Sequence, residues 1–179
     1  KEIKEKILIP TSEGLKKENL IYRGILFFGL MITKNGPFVI EYNVRFGDPE
    51  CQILLRNLQT DLLKIIEYNL QDKLTNLKIR NDNKSVVCVV LASKGYPGRF
   101  KKNRLIKNIS IAQSLKNVEI FHAGTAYKNK KIFSSGGRVL SITAKSDSII
   151  LARRLAYKAL SIIKWKDGFF RKDIGLKNT

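Results

Sequence analysis

Apolar residues recur in this chain with the three-to-four-residue rhythm of helices in some stretches and with the alternation of strands in others. From Lys1 to Ile9 the segment is charged, Ile3 and Ile7 stand four residues apart, and Pro10 follows. This predicts the tail of an amphipathic helix closed by the proline. Tyr22 to Ile32 (YRGILFFGLMI) and Phe38 to Asn43 (FVIEYN) are apolar, aromatic-rich runs on either side of Lys34-Asn35-Gly36. Asn-Gly between such runs predicts a β-hairpin. GDPE at 47–50 predicts a helix start, with Asp48 as N-cap, Pro49 at the first helical position and Glu50 where the macrodipole favours a carboxylate. One helix is then expected from Pro49 to Leu70, its apolar face made by Leu54, Leu55, Leu58, Leu62, Ile65 and Ile66.

Asn76 to Lys84 (NLKIRNDNK) is polar and predicts a boundary near residue 80. Beyond it, Ser85 to Ala92 and Val118 to His122 read as strands. Lys131 to Phe133 and Val139 to Thr143 read as a further pair around the Ser-Ser-Gly-Gly turn at 134–137. A long helix follows, capped by Ser146 or Asp147, with Ile149, Ala152, Leu155, Ala156, Ala159, Ile162 and Ile163 on one face. The expected fold class is α+β in two parts. Residues 1–80 give an antiparallel strand layer with a helix, and residues 81–179 a smaller mixed, strand-rich domain.

Composition adds a charge imbalance. The 179 residues include 34 Lys plus Arg against 15 Asp plus Glu, a formal net charge of +19, with 44% apolar residues, enough to bury a core. Residues 1–80 carry +3 and residues 81–179 carry +16. Clustered cations suit a polyanion or a phosphorylated small molecule. However, Lys, Ile and Asn, which have AT-rich codons, make up about a third of the chain, so base composition alone can set such a surface. The basic residues follow no helix-turn-helix, zinc-finger or RNP pattern, which disfavours nucleic acid as the partner. Cys51 and Cys88 lie in apolar contexts without metal-ligand spacing, as reduced thiols of a cytoplasmic protein would. The longest apolar stretch, Gly24 to Ile32, is about half the ~18 residues needed to span a bilayer, and KEIKEK is no signal peptide, so no membrane partner is expected.

On the strand from Phe38 to Arg45, alternation puts Glu41, Asn43 and Arg45 on one face. A carboxylate and an amide oxygen two residues apart are hard donors suited to Mg²⁺, and an arginine beyond them can hold phosphate oxygens. A merely solvated strand face has the same alternation. The surrounding run, GILFFGLMITKNGPFVIEYNVRFGDPECQ, resembles the end of the ATP-grasp domain of the phosphoribosylamine-glycine ligase (glycinamide ribonucleotide synthetase) family, with its pattern GxLYxGLMxTxxGPxVxEFNxRFGDPExQ. ASKGYPG at 92–98, FHAGT at 121–125, SGGRVLSITA at 135–144, ARRLAYKAL at 152–160 and FFRKDIG at 169–175 are similar to further blocks of that family, in the same order.

The resemblance implies that residues 1–80 end an ATP-grasp domain and residues 81–179 form the carboxyl-terminal domain of such a ligase. It also implies the chemistry of de novo purine biosynthesis. ATP phosphorylates the glycine carboxylate, and the amine of 5-phosphoribosylamine then displaces phosphate. Glu41 and Asn43 match the ligands of Mg²⁺ or Mn²⁺. Arg45 is the candidate catalytic residue, holding the acyl phosphate or γ-phosphate. Candidate substrate contacts are Asp48, read first as a helix cap, then Gly95 and Tyr96, His122 and Thr125, and Gly136, Gly137 and Arg138. Each of these three loops reads equally as a plain turn or a structural hydrogen bond. Lys94 stands where the family's block has Gly, and Arg171 and Asp173 are expected to pair structurally. The likeness covers roughly the last two fifths of such an enzyme, and no glycine-rich phosphate loop with a lysine precedes Glu41. A fragment, a split subunit or a truncated product is therefore expected, completed by the amino-terminal half in cis or in trans. A non-catalytic remnant and a basic nucleic-acid-binding module are the alternatives.

Overall fold

Phe27–Thr33 (β1) and Gly36–Asn43 (β2) form the predicted antiparallel hairpin in this computed structural model, which describes residues 1–176. Its two-residue loop is Lys34-Asn35, one position earlier than the Asn-Gly pair suggests. Gly36 already pairs with Thr33 and takes φ +104°, a conformation open mainly to glycine. The register slips between Gly29 and Leu30, a bulge opposite the Glu41 region.

Backbone contacts divide the chain into two units. Lys1–Gly47 and Thr60–Arg80 form the first; Asp48–Gln59 and the chain from Asn81 onward form the second. The last three residues of the expected second domain, 177–179, lie outside the described residues. Before the hairpin, the expected end of the helix at Pro10 does not occur. A π-type turn at Lys4–Leu8 runs directly into Ile9–Lys17 (α1), and Pro10 stands near the start of α1. Helical backbone continues through Leu8, so Pro10 stands inside one continuous helical run, and the wider π-type turn just before it is where the run accommodates a residue without an N–H. Ile7 is the one buried large hydrophobic residue of the first unit.

The single helix expected from Pro49 to Leu70 is two helices, Glu50–Asn57 (α2) and Leu62–Leu70 (α3). Leu58 is extended and bridges to Asn81, and the Asp82 N–H donates to the Asn57 carbonyl at 2.7 Å. Asp61 then caps α3 by accepting from the Lys64 N–H at 3.1 Å. Long-range pairing plus a fresh N-cap thus outweighs the continuous apolar periodicity. The expected cap of α2 is also corrected. Pro49 occupies the cap position without a side-chain bond, and the Asp48 carboxylate accepts from the Gln52 amide at 3.2 Å instead.

The second unit holds the core. Ser85–Ser93 (β3), Leu105–Ile106 (β4), Val118–His122 (β5), Thr125–Lys128 (β6), Lys131–Ser134 (β7), Arg138–Ser146 (β8) and Gly168–Phe169 (β9) make two antiparallel sheets, ordered β5-β8-β3-β9 and β4-β7-β6. The expected pairing of the 131–133 and 139–143 strands is therefore wrong, since β7 and β8 lie in different sheets. The hairpin partner of β7 is β6, turned by Asn129-Lys130 with φ of 49° and 59°, both in the left-handed region. Ile109–Gln113 (α4) and Ile149–Ile162 (α5) complete the unit. Ser148, rather than Ser146 or Asp147, caps α5, accepting from the Leu151 N–H at 3.3 Å. Ala152, Ala156 and Ala159 of the expected face are buried, and Leu160, outside that expectation, is buried with them. This face closes over Val87, Val89 and Leu91 of β3 and their partners Ala144, Ile142 and Leu140 of β8. Small residues on the helix let it approach the sheet closely, and the branched strand residues fill the layer.

The opposite parity of β3 carries Cys88, whose thiol is pushed up to about 12, first by burial and further by the Asp48 and Glu50 charges, against a hydrogen bond with Ser141. Cys51, partly exposed, is raised as well, chiefly by burial. Alkylation at pH 8 is expected to reach Cys51 and leave Cys88 protonated and unmodified; early labelling of Cys88 in a peptide map would contradict this packing. A raised thiol keeps its full contribution to stability below the unfolded value near 9 and loses it as pH climbs toward 12. Among the described residues no helix is long and apolar enough to cross a membrane.

Candidate functional site

Glu41 and Asn43 stand two residues apart on β2, so their side chains share a face, and Asn43 Nδ2 donates to Glu41 Oε1 at 3.0 Å. Gly29 lies opposite Glu41, and a Cβ there would come within 2.9 Å of Glu41 Cγ. The glycine therefore leaves the space that the carboxylate chain occupies. The amide nitrogen, not its oxygen, faces the carboxylate, but a half-turn of the amide exchanges the two. One carboxylate and one amide oxygen side by side are the hard donors that a divalent cation such as Mg²⁺ accepts, so the residues fit that group. Among the described residues no cluster of three or more His, Cys, Asp or Glu offers a self-sufficient protein cage. Arg45 lies beyond the end of β2, exposed, with one guanidinium nitrogen donating to the Phe46 carbonyl at 2.9 Å. It makes no ion pair with an acidic side chain of the described residues.

The remaining candidates all belong to the second unit, and the fold gathers most of them. Arg138 pairs with the Asp48 carboxylate at 2.9 Å and donates to the Asp48 carbonyl at 3.0 Å. Its charge is therefore engaged by Asp48. Both partners are more than two fifths exposed, so the pair positions the start of α2 more than it stabilises the fold. Tyr96 lies over Gly137, where an added Cβ would sit 2.2 Å from the ring. Gly95 takes φ +102°, with the Arg99 carbonyl 2.2 Å from the place of a Cβ. His122 Nδ1 and Thr125 Oγ1 are 3.0 Å apart, closing the loop that carries Gly124. Arg171 and Asp173 form the expected pair, which raises the guanidinium and lowers the carboxyl.

Ser93 is the residue that sequence reasoning missed. Buried at the end of β3, it donates from Oγ to the Gly136 carbonyl at 2.7 Å, and its backbone N–H donates to the Gly137 carbonyl at 2.7 Å. It therefore fixes the 135–138 loop against the 93–98 loop. A serine at a strand end gives no signal of this in the sequence. Gly124 and Gly136 touch backbone to backbone: a Cβ on Gly124 would lie 2.6 Å from Gly136 Cα and 2.7 Å from the Arg138 carbonyl. Neither atom is the end of a flexible chain. Gly124→Ala is expected to cost about 1–3 kcal/mol and to loosen all three loops, measured as a lower midpoint in urea unfolding. An unchanged midpoint would show that the loops part easily.

Two family profiles match this chain. "Phosphoribosylglycinamide synthetase, ATP-grasp (A) domain" matches residues 1–51, and "Phosphoribosylglycinamide synthetase, C domain" matches residues 86–177. The chain is 49% identical over 173 residues to a phosphoribosylamine–glycine ligase of Caldanaerobacter subterraneus, with 97% of this chain and 41% of that protein covered. It is 46% identical over 176 residues to the human trifunctional purine biosynthetic protein adenosine-3, covering 98% of this chain and 17% of that one. Among solved structures, a phosphoribosylamine–glycine ligase from Thermotoga maritima superposes with a TM-score of 0.79 at 30% identity, over 94% of this chain and 41% of that one. The chain thus spans about two fifths of the single-function ligases it matches.

Proposed function

Because this chain belongs to the phosphoribosylglycinamide synthetase family, we propose that it is the carboxyl-terminal portion of a cytoplasmic ligase that joins glycine to 5-phosphoribosylamine at the expense of ATP. In this reading residues 1–80 end the ATP-grasp domain and residues 81–179 are the carboxyl-terminal domain. The observation that carries it is the Glu41–Asn43 pair, held on β2 opposite Gly29 within the stretch matched by the ATP-grasp profile.

The overall reaction has two steps. Transfer of the γ-phosphoryl group to the glycine carboxylate gives glycyl phosphate and ADP. The amine of phosphoribosylamine then attacks the acyl carbon, loses a proton and expels inorganic phosphate. Glu41 and Asn43 would hold Mg²⁺ or Mn²⁺, which when bound offsets the charge on the ATP phosphates. Arg45, whose planar guanidinium is not spent on a carboxylate among the described residues, would bind the oxygens of the transferring phosphoryl or acyl phosphate group. The loops bearing Gly95, Tyr96, His122, Thr125, Gly136 and Gly137 would shape a substrate pocket, with Asp48 and Arg138 setting the position of α2 against them.

A complementary amino-terminal part, in cis or in trans, would bring the adenine pocket and the phosphate-cradling loop. The test is to express that part separately, combine it with this chain, and measure ADP release that depends on both glycine and phosphoribosylamine. A stable complex without such release would refute the ligase reading.

A further inference from the structure

A second feature of the carboxyl-terminal unit meets the loops described above only at His122. Between the α4 segment and the β6–β7 turn lies an open groove of about 830 Å³. Its apolar lining is Leu105, Ile106, Ile109 and Ile132, and Lys107, Lys130 and Lys131 also line it. Among the described residues no carboxylate lines it. The nearby Glu119 is held by Gln113 Nε2 at 2.6 Å and by Arg56 at 3.3 Å.

Two details make this more than a patch of surface lysines. Asn108 on one side has φ 65°, and Asn129-Lys130 on the other have φ 49° and 59°. A Lys at the second position of such a turn stands where glycine would relieve the strain, so the chain accepts a disfavoured backbone that sets a cation at the groove. Lys107 in turn is anchored by reciprocal backbone bonds with Lys164 at 3.0 and 3.1 Å, which fixes where its side chain begins. Three cations over an apolar floor, with no acid to neutralise them, complement a ligand that is anionic at one end and apolar or planar at the other.

We propose that this groove binds a phosphorylated small molecule of the nucleoside mono- or diphosphate class, its base on the isoleucine floor and its phosphates on Lys107, Lys130 and Lys131. The site is made entirely of second-unit residues and does not rest on the ligase reading. His122 also lines it, with Nδ1 committed to Thr125, so Nε2 is the ring atom left for a ligand.

The experiment is equilibrium dialysis of the 179-residue chain against ADP without magnesium, at about 0.15 M salt, paired with lysine-acetylation footprinting. Saturable binding is expected, with protection of Lys107, Lys130 and Lys131. Lys107→Gln combined with Lys131→Gln should weaken it about tenfold or more, and inorganic pyrophosphate should bind about tenfold less tightly than ADP. The charge-matched control, Lys101→Gln combined with Lys102→Gln, should leave the affinity unchanged. Equal loss in that control would reduce the effect to general attraction by a +19 chain and overturn the proposal. So would pyrophosphate binding as tightly as ADP, or the absence of saturation at millimolar ligand.

Discussion

Glu41→Gln in the reassembled two-part ligase is expected to lower turnover by about a hundredfold or more while leaving complex formation and the unfolding midpoint unchanged. The substitution keeps the shape of the side chain and its place opposite Gly29, so the hairpin loses nothing that it packs. What it removes is a formal negative charge. A carboxylate is a far better donor to a divalent cation than a neutral amide, and Mg²⁺ bound by few protein oxygens relies on each of them. Raising the Mg²⁺ concentration should recover part of the lost rate, which a purely structural defect would not allow. Asn43→Ala is expected to follow the same pattern with a smaller loss, because an amide oxygen contributes less. Wild-type turnover in Glu41→Gln would remove the residue from the metal site.

The hairpin carrying Glu41 and Asn43 was legible because two-residue alternation and an Asn-Gly signal are local properties. The helix face through Ala152, Ala156 and Ala159 was legible for the same reason. Two of the failures share a cause: each depended on a partner distant in sequence. Leu58 ends α2 by bridging to Asn81, and nothing between residues 50 and 70 announces that. The Ser-Ser-Gly-Gly segment looks like a hairpin turn, yet it crosses between two sheets, because Gly136 must meet Gly124 and the Gly136 and Gly137 carbonyls must meet Ser93. The turn that does make a hairpin, Asn129-Lys130, was hidden in a run of cations. Site residues were readable only through the resemblance of whole blocks. Spacing alone left Glu41 and Asn43 indistinguishable from any half-exposed strand face, and it gave no hint that Arg138 is already paired with Asp48.

On its own, the 179-residue chain is expected to be inactive as a ligase and to self-associate. Its contribution to ATP would be a pair of metal-binding oxygens and one arginine, without a glycine-rich phosphate loop before Glu41 to hold the reacting groups in line. Association follows from the first unit. A two-stranded sheet is marginal in water, and here Phe38, Ile40 and Val44 are 53%, 64% and 72% exposed, with Met31 and Ile32 at 53% and 65%. Among the described residues this sheet has two strands, so the outer edges of β1 and β2 also present unpaired backbone groups. The net charge of +19 opposes association over long range, but salt screens it beyond about 8–10 Å and leaves the apolar contact intact. Sedimentation at about 0.15 M salt should therefore show oligomers that dissolve into a one-to-one complex when the amino-terminal part is added. A monodisperse monomer forming glycinamide ribonucleotide unaided would overturn this account, because it would mean that the exposed strand faces need no cover and the phosphates no cradle.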